Sequence, residues 1–563
     1  MARITKISDM QYIRQDIPAL CESVKSFAVA IRNANSAEEI LQIRKEYLEV
    51  MEELETATNI AYIRFSQNTK DEFYLAEQDY YDENTPALSA EIVGYQNAIL
   101  NSPYAKQVEK AIGTGIFKLY ECSQKCMCEE IIPEKQEEAK LVTEYTKYAS
   151  ALAFDFRSEK VPLTILRKYM SDSNRETRRE AFEVLGEEFQ KHSEFFDEIF
   201  DKLVKVRDKM AKKMGYSSFV EMGYYQMERV DYNREMVEAF RKNVLEYIVP
   251  AVCEVKGEVA KNLGIPQGDF KFYDNESYFE VAPDPILNAE DMMKAGKNMY
   301  CDMSSATAEF IDMMFEADAF DVLSRENKWG GGYCTYIPKY KQPFILANFN
   351  GTQADVDVLT HEAGHAFNSY ETRNRDSEEG CGMETAEIHS MSMEFFCWKY
   401  METFFGKRAN DYKFSHLCDS LTFIPYGVIV DEFQHIVYDN PNLTPQERNA
   451  EYLKLEEKYR PYLSFEGMAY LQKGTRWQYQ AHIFEMPFYY IDYCIAGSVA
   501  LEFLASSQED YQSAFSAYHQ FILAGGGKSL EEKIVDAGLL SPFKDGGLAV
   551  AVQKAMEIIR KYK

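Results

Sequence analysis

The sequence predicts a mainly α-helical protein with one small β-sheet, and three observations support this prediction. As far as Leu263, stretch after stretch places apolar residues at helical spacing with charged residues between them. Two short runs, 333–337 and 344–349, are rich in aromatic and β-branched residues and follow Gly or Pro, which indicates strands. A helical pattern returns at about Gln353, so the expected sheet comes directly before a helix.

The N-terminal helices are predicted from periodicity and capping signals. In the stretch 35–54, Ser36 is the expected N-cap, and Glu39 three residues later would complete a capping box. Further helices are expected at 136–153, 175–200 and 236–263, with the polar run 171–174 as a break before the second of these. From pattern alone, we divide the chain into an N-terminal helical lobe, 1–190, and a second domain, 191–563.

The composition of the 563-residue chain excludes several classes of protein. Lys plus Arg number 62 and Asp plus Glu number 91, so the formal net charge is −29. This acidity argues against binding to nucleic acid or to an anionic membrane, because both require a basic surface. No run of about 18 uncharged apolar residues occurs. The richest stretch, 486–505, contains Asp492 and Glu502, so no membrane-spanning segment is expected.

The cysteines and the first residues favour a cytoplasmic protein. The opening MARITKISDMQYIRQDIPAL lacks the apolar core and the small-residue cleavage pattern of a secretory signal. Eleven cysteines, an odd number scattered over a long chain, are typical of thiols in a reducing compartment. The spacing of Cys122, Cys126 and Cys128 matches no common zinc or redox motif, so we interpret them as thiols on a helix.

Residues 361–365, HEAGH, form an H-E-x-x-H motif. On an α-helix, His361 and His365 lie on one face about one turn apart, so both imidazoles can reach one zinc ion. Glu362 lies about 100° around the helix, near enough to reach a water bound to the metal. Zinc lowers the pKa of that water and the carboxylate can take its proton. We expect Thr352 to cap this helix, with Asp355 in its first turn.

A catalytic zinc ion usually has a third protein ligand and one open position. The segment 380–394, GCGMETAEIHSMSME, offers four candidates, Glu384, Glu387, His389 and Glu394. The three glutamates share a helix face, because they are spaced three and seven residues apart. Spacing alone does not choose among them. The others are candidates to orient a ligand histidine through its second ring nitrogen, and His389 is considered only for that role.

Three segments carry a family resemblance: GGGYCTYIPKYKQPFILANFNGTQADVDVLTHEAGHAFNSY, METAEIHSMSMEFF and RWQYQAHIFEMPFYYIDYCIAGSVA. In this order they resemble the thimet-like oligopeptidases, most closely the oligoendopeptidase F branch, over roughly residues 200–560. The resemblance implies a zincin-like, mainly helical fold whose two lobes flank a deep substrate channel. It also implies one Zn²⁺ per chain, a metallopeptidase domain over 191–563 and oligopeptide substrates. Asn368 is a departure, because many relatives carry a further histidine there.

The resemblance also implies roles for individual residues. Glu387 matches the family's third zinc ligand, and Glu362 matches its general base. A histidine and tyrosines that hydrogen-bond the tetrahedral intermediate correspond to His482, Tyr490 and Tyr493, with Tyr489 as the alternative tyrosine. A phenol is a neutral donor suited to an oxyanion, although in a chain with 39 tyrosines an aromatic stripe is more often core. Pro487 predicts the first turn of a helix that carries these tyrosines.

Together these features predict a zinc-dependent endopeptidase that hydrolyses internal bonds of short, unfolded peptides with a water activated by Glu362. The alternatives are a zinc carboxypeptidase on a similar helical fold and a peptide-binding zinc protein without turnover. Two further hypotheses concern the substrate. The strand after glycines 330–332 is expected to present an unpaired edge to an extended peptide. Arg476 has two interpretations: it forms a structural ion pair, or it binds a substrate carboxylate. The ion pair is preferred.

Overall fold

The computed structural model describes residues 4–266 and 268–562. The chain folds into two compact units, each built from three segments. Unit 1 comprises Met1–Met127, Pro283–Tyr412 and Phe503–Leu539, and unit 2 comprises Cys128–Ala282, Lys413–Glu502 and Leu540–Lys563. Residue 190 lies within unit 2, and the division into domains after that residue stays a prediction.

The first segment of unit 1 consists of helices around an apolar core. They are α1 (Ile17–Asn33), α2 (Ala37–Gln67), α3 (Glu72–Leu100), α4 (Ala105–Ile112) and α5 (Thr114–Cys126). Helix α2 begins where predicted, since the Ser36 side chain accepts a hydrogen bond from the Glu39 N–H. The expected capping box is shifted by one residue, because the Glu39 carboxylate accepts from the N–H of Asn35.

The first segment of unit 2 is helical apart from one hairpin. Its elements are α6 (Ile132–Ser150), β1 (Ala153–Phe156), β2 (Glu159–Pro162), α7 (Leu163–Met170), α8 (Arg175–Lys191), α9 (Ser193–Lys213), α10 (Phe219–Gln226), α11 (Arg234–Asn243) and α12 (Val249–Asn262). The helix predicted at 175–200 is interrupted at His192, and the one at 236–263 is interrupted by a π-helical turn, Val244–Ile248. The hairpin turn at Arg157 and Ser158, both with positive φ, was not predicted because the pair lacks the Asn-Gly or Asp-Gly sequence typical of such turns.

The middle segment of unit 1 contains the predicted sheet. Its elements are α13 (Ala289–Met303), α14 (Ser305–Glu316), β3 (Phe320–Leu323), β4 (Tyr333–Ile337), β5 (Gln342–Phe349), α15 (Ala354–Thr372), α16 (Met383–Phe396) and α17 (Met401–Phe405). The strand order is β3-β5-β4, with β5 parallel to β3 and antiparallel to β4. Strand β5 is almost wholly buried and packs against α15. The prediction of a mainly helical fold with a small sheet beside the H-E-x-x-H helix is therefore confirmed.

The remaining helices complete both units. They are α18 (Ala409–Asp439), α19 (Pro445–Tyr459), α20 (Ala481–Glu485), α21 (Tyr490–Glu509), α22 (Tyr511–Ala524), α23 (Leu530–Asp536) and α24 (Ala549–Tyr562). The prediction that Pro487 lies in the first turn of a helix is wrong, because α21 begins only at Tyr490. Phe488, between them, has a φ of 70°, which interrupts helical geometry. Among the described residues, no helix combines the length and the apolar character needed to span a bilayer.

Candidate active site

Helix α15 carries the H-E-x-x-H motif, and Asp355 in its first turn anchors it to the sheet. The buried Asp355 carboxylate accepts hydrogen bonds from the N–H groups of Asn350, at 2.9 Å, and Gly351, at 2.7 Å. The cap position is Gln353, which makes no side-chain capping bond. The prediction that Thr352 caps this helix is therefore wrong. Asp355 instead ties the loop after β5 to the helix, which holds the motif in place beside the sheet.

Helices α15 and α16 pack closely against each other at Gly364, within the motif. A Cβ atom on Gly364 would lie 2.6 Å from Ser390 Cα and 2.7 Å from His389 O. Atoms of a well-packed interior do not approach this closely, so only glycine allows the contact. The close approach of the two helices brings the carboxylate of Glu387, on α16, to the two motif histidines on α15.

The three predicted metal ligands lie together. One ligand atom from each of His361, His365 and Glu387 lies within 4.8 Å of the other two. Glu387 Oε2 is 3.4 Å from His361 Nε2 and 3.7 Å from His365 Nε2. Across residues 4–266 and 268–562, no other group of His, Cys, Asp or Glu meets this spacing, and the three clustered cysteines at 122, 126 and 128 do not. The group could hold one metal ion.

The other candidates on α16 make different contacts. Glu394 Oε1 lies 2.7 Å from His361 Nδ1, on the side of the ring away from Glu387. Glu384 is buried, and its Oε1 accepts a hydrogen bond from Thr385 Oγ1 at 3.0 Å. His389 is buried and makes no hydrogen bond through either ring nitrogen. Glu394 is thus positioned to orient His361 and to fix which of its nitrogens carries the proton.

Glu362 lies in a buried position between α15 and the edge strand β4. The Cys334 backbone N–H donates a hydrogen bond to its carboxylate. Burial raises the pKa of Glu362 to about 7; the Glu387 and Glu394 carboxylates act in the same direction, whereas His361 and the Cys334 N–H oppose them. A carboxyl group with a pKa near neutrality is suited to take up and return a proton.

Strand β4 is an edge strand, which in the described sheet pairs with β5 alone. Cys334 and Tyr336 are two residues apart, so their backbone groups lie on the same, outer side of the strand. The Tyr336 carbonyl accepts a hydrogen bond from Asn59 Nδ2 of α2 at 2.7 Å. The far end of the predicted free edge is therefore covered by α2, while Cys334, near its start, points its N–H at Glu362. The addition of a peptide to this edge stays a hypothesis.

In unit 2, the predicted histidine and tyrosines form one aromatic cluster. The ring centroid of His482 lies 4.9 Å from that of Tyr490, 5.8 Å from that of Tyr489 and 6.3 Å from that of Tyr493. Tyr493 donates a hydrogen bond to the Tyr489 hydroxyl at 3.0 Å. Burial lowers the pKa of His482 and raises that of Tyr490 well above its usual value. Both groups are therefore neutral hydrogen-bond donors near neutral pH.

Two residues that the sequence did not single out orient His482. Gln480 Nε2 lies 2.9 Å from His482 Nδ1, and Gln480 Oε1 accepts a hydrogen bond from the Tyr426 hydroxyl. This arrangement makes His482 Nδ1 an acceptor and places the ring proton on Nε2. Tyr426 lies on α18, 54 residues before Gln480, so no local pattern links the two residues.

The first turn of α21 is anchored by a buried ion pair. Asp492 Oδ1 accepts hydrogen bonds from Arg229 Nη2 at 2.9 Å and from the Tyr232 hydroxyl at 2.5 Å. Because Asp492 lies between Tyr490 and Tyr493, this pair holds the helix turn that carries both tyrosines. The sequence contained a signal for it: Asp492 is a charge within the most apolar stretch of the chain, and a buried charge needs a partner.

Comparison with known proteins gives consistent matches. A family model described as Peptidase family M3 matches residues 168–551, and one described as Peptidase M3 N-terminal domain matches residues 7–127. Among solved structures, PZ peptidase A with an inhibitor is 40% identical, covers 99% of both chains and has a TM-score of 0.92. An oligoendopeptidase F from Bacillus anthracis strain Ames is 38% identical, covers 100% of this chain and 99% of its own, and has a TM-score of 0.87.

A curated relative is more distant. Oligopeptidase PepF of Bacillus subtilis strain 168 is 20% identical over 394 residues, which are 66% of this chain and 55% of that protein. The match thus spans just over half the length of this relative.

Proposed function

The chain belongs to a family of peptidases, family M3, and we propose that it is a zinc-dependent oligopeptidase that cleaves internal bonds of short, unfolded peptides. The observation that carries the proposal is the grouping of His361, His365 and Glu387 within 4.8 Å. Similarity to proteins named oligoendopeptidase F supports internal cleavage and short substrates.

We propose that these three residues hold one Zn²⁺ per chain. Two imidazoles and one carboxylate are the donor set of many catalytic zinc sites and leave one position open. The Glu394 carboxylate at His361 Nδ1 supports this assignment, since histidines that bind zinc usually donate their other N–H to a carboxylate or carbonyl. When bound, the ion supplies a Lewis acid that polarises the scissile carbonyl and lowers the pKa of water.

Glu362 is proposed as the general base and then the general acid. Its carboxylate takes a proton from the attacking water and passes it to the nitrogen of the leaving amine. A pKa raised to about 7 by burial suits both transfers near neutral pH. The Cys334 N–H holds one side of the carboxylate, which restricts its rotation.

His482, Tyr490 and Tyr493 are proposed to stabilise the negative oxygen of the tetrahedral intermediate, with Tyr489 as the alternative tyrosine. Neutral N–H and O–H donors stabilise an oxyanion without binding zinc as an anionic ligand would. The Gln480 contact supports this role for His482, because it leaves the proton on the outer nitrogen, Nε2.

The proposal also covers partners and compartment. A net charge of −29 supports peptides over nucleic acids as partners. The eleven cysteines support a reducing compartment, and we propose the cytoplasm.

A panel of quenched-fluorescent peptides, assayed with and without a chelator and with products identified by mass, tests the proposal. We expect internal cleavage of peptides blocked at both ends, loss of cleavage with chelator and recovery when zinc is added back. Release of single C-terminal residues from unblocked peptides alone would favour a carboxypeptidase. Absence of cleavage in protein with full zinc occupancy would favour a peptide-binding zinc protein.

A further inference from the structure

Arg476 of unit 2 has no counter-ion, contrary to the structural ion pair expected from the sequence. Its Nε and Nη1 atoms are buried without a hydrogen-bond partner, and it forms no ion pair with the described residues. The buried arginines of the same unit all have a carboxylate partner: Arg178, Arg207, Arg229, Arg241, Arg448 and Arg460. Leaving a buried charge without a partner is destabilising, so its presence here calls for a functional reason.

Aromatic rings hold the Arg476 guanidinium in place. Its Cζ lies 4.4 Å from the ring centroid of Tyr426 and 4.3 Å from that of Tyr479. The faces of these rings stabilise a positive charge, but they provide no oxygen for the N–H donors of the guanidinium. The group is therefore oriented and charged, while its Nε and Nη1 donors still lack an acceptor.

The nearby charges do not neutralise Arg476. Glu456 is engaged by Arg460, whose Nε lies 2.6 Å from Glu456 Oε2 and whose Nη2 bonds to Oε1. This bidentate pair has no net charge, so the cluster of Arg460, Glu456 and Arg476 carries one excess positive charge. A planar guanidinium whose N–H donors lack an acceptor matches the geometry of a carboxylate, which it binds through two parallel hydrogen bonds.

Tyr426 connects Arg476 to the proposed oxyanion donors. The same ring that stacks on Arg476 lies 5.7 Å from the ring of Tyr490, and its hydroxyl bonds to Gln480, the partner of His482. As a residue Arg476 is only partly buried, but its Nε and Nη1 are covered, so a ligand reaches the guanidinium first at Nη2. An anionic group bound at Arg476 would thus lie in the neighbourhood where the substrate is proposed to react.

We propose that Arg476 binds the C-terminal carboxylate of the peptide substrate. The inference rests on the proposed function, because it takes the substrate to be a short peptide. It implies that peptides with a free C-terminus bind more tightly than their amides, while blocked peptides are still cut at a lower kcat/KM.

Three forms of one quenched peptide test the proposal on the wild-type enzyme: the free acid, the C-terminal amide, and the amide with Glu as its last residue. We expect kcat/KM for the free acid to exceed that for the amide by about 10- to 100-fold, mainly through KM. If the Glu-ended amide matches the free acid, the site accepts a carboxylate from either the C-terminus or the last side chain, and the proposal is retained. Equal kcat/KM for all three forms overturns the proposal.

Variants connect this preference to Arg476. In Arg476→Gln, the acid-to-amide ratio should fall to about one, and Arg476→Lys, which keeps the charge but loses the paired donors, should give an intermediate ratio. Arg234→Gln removes a more exposed positive charge from unit 2 and should keep the wild-type ratio. An unchanged ratio in Arg476→Gln contradicts the proposal. If that variant does not fold, the Lys variant and the three wild-type measurements still test whether Arg476 binds the carboxylate.

Direct binding separates this inference from the proposed function. Calorimetry with Glu362→Gln and the acid and amide peptides measures affinity without hydrolysis. We expect the acid to bind about 10- to 100-fold more tightly than the amide. Tighter binding of the acid without hydrolysis by the wild-type protein would refute the peptidase proposal and retain the Arg476 site. Hydrolysis by the wild-type protein, with equal affinities for the acid and amide peptides, would refute the Arg476 site and retain the peptidase proposal.

Discussion

The Nδ1 atom of His361 lies 2.7 Å from Glu394 Oε1. Helix α16, which supplies Glu387, therefore also orients the first motif histidine through the ring nitrogen that does not face Glu387. His361 is thereby held from both sides by α16, at Glu387 Oε2 and at Glu394 Oε1. The metal-binding geometry therefore depends on how α15 and α16 pack against each other.

Removing the charge behind His361 should weaken metal binding. Glu394→Gln keeps the size of the side chain but provides a poorer acceptor for the imidazole N–H, so we expect zinc affinity to fall about 10- to 100-fold. Competition with a chromophoric chelator measures this affinity. Glu384→Gln on the same helix is the matched control and should bind zinc like the wild type. Equal losses in both variants would argue for a general effect on α16 instead of a specific one on His361.

Glu362→Gln should separate metal binding from turnover. The amide can still accept from the Cys334 N–H, but it cannot take a proton from water, so kcat should fall at least about 10²-fold with zinc content unchanged. Metal analysis and peptide hydrolysis on the same preparation check both parts. Wild-type hydrolysis by this variant would remove Glu362 from the role of general base.

Gly364→Ala should damage both stability and the metal centre. The new Cβ would lie 2.6 Å from Ser390 Cα, so α15 and α16 must separate, and we expect this overpacking to cost about 3 kcal/mol or more. Urea unfolding and zinc affinity provide the measurements. Gly94→Ala on α3 has no atom within 4 Å of its Cβ and should stabilise unit 1 by about 0.5–1 kcal/mol. A neutral Gly364→Ala variant would show that the helix contact is not required.

Gln480→Leu should impair catalysis without affecting the metal. The leucine fills similar space but cannot donate to His482 Nδ1, so the imidazole loses its fixed tautomer and orientation. We expect kcat to fall at least about tenfold, while zinc affinity and KM change little. Steady-state kinetics, with chelator competition as the control, test this expectation. A rise in KM at constant kcat would instead assign Gln480 to substrate binding.

Glu502 should make the protein less stable at alkaline pH. Its carboxylate is buried, accepts from the N–H groups of Leu540 and Ala551, and leaves Oε1 without a partner; burial raises its pKa to about 7 from an ordinary 4.5. Because the folded state then binds the proton more tightly than the unfolded state, the contribution is full at low pH and is lost as pH rises towards and through about 7.

We therefore expect Glu502→Gln to raise the free energy of unfolding at pH 8 by about 2 kcal/mol and to have little effect near pH 4.5. Urea unfolding of both proteins at the two pH values measures the difference, so other titrating groups cancel. A gain that is equal at both pH values would show that hydrogen bonding, and not titration, is responsible.

Several local features of the fold were predictable because they depend on neighbouring residues. Strand β4 and helix α2 begin where their patterns indicate. Two local predictions failed, one because of a competing local hydrogen bond and one because of an unusual turn. Thr352 does not cap α15, because Asp355 binds the preceding loop, and α21 begins after Pro487, because Phe488 adopts a positive φ.

By itself, the sequence determined the relation of His361, Glu362 and His365, because helical geometry places residues one and four positions apart in known directions. By spacing alone, the sequence left Glu387 as one of several candidates for the third metal ligand, because no local rule brings a residue on one helix to a site on another. The tertiary structure decided that contact through the close approach of α15 and α16 at Gly364. It likewise decided that Arg476 lacks a counter-ion, because the presence of a carboxylate partner depends on residues distant in sequence that only folding brings near.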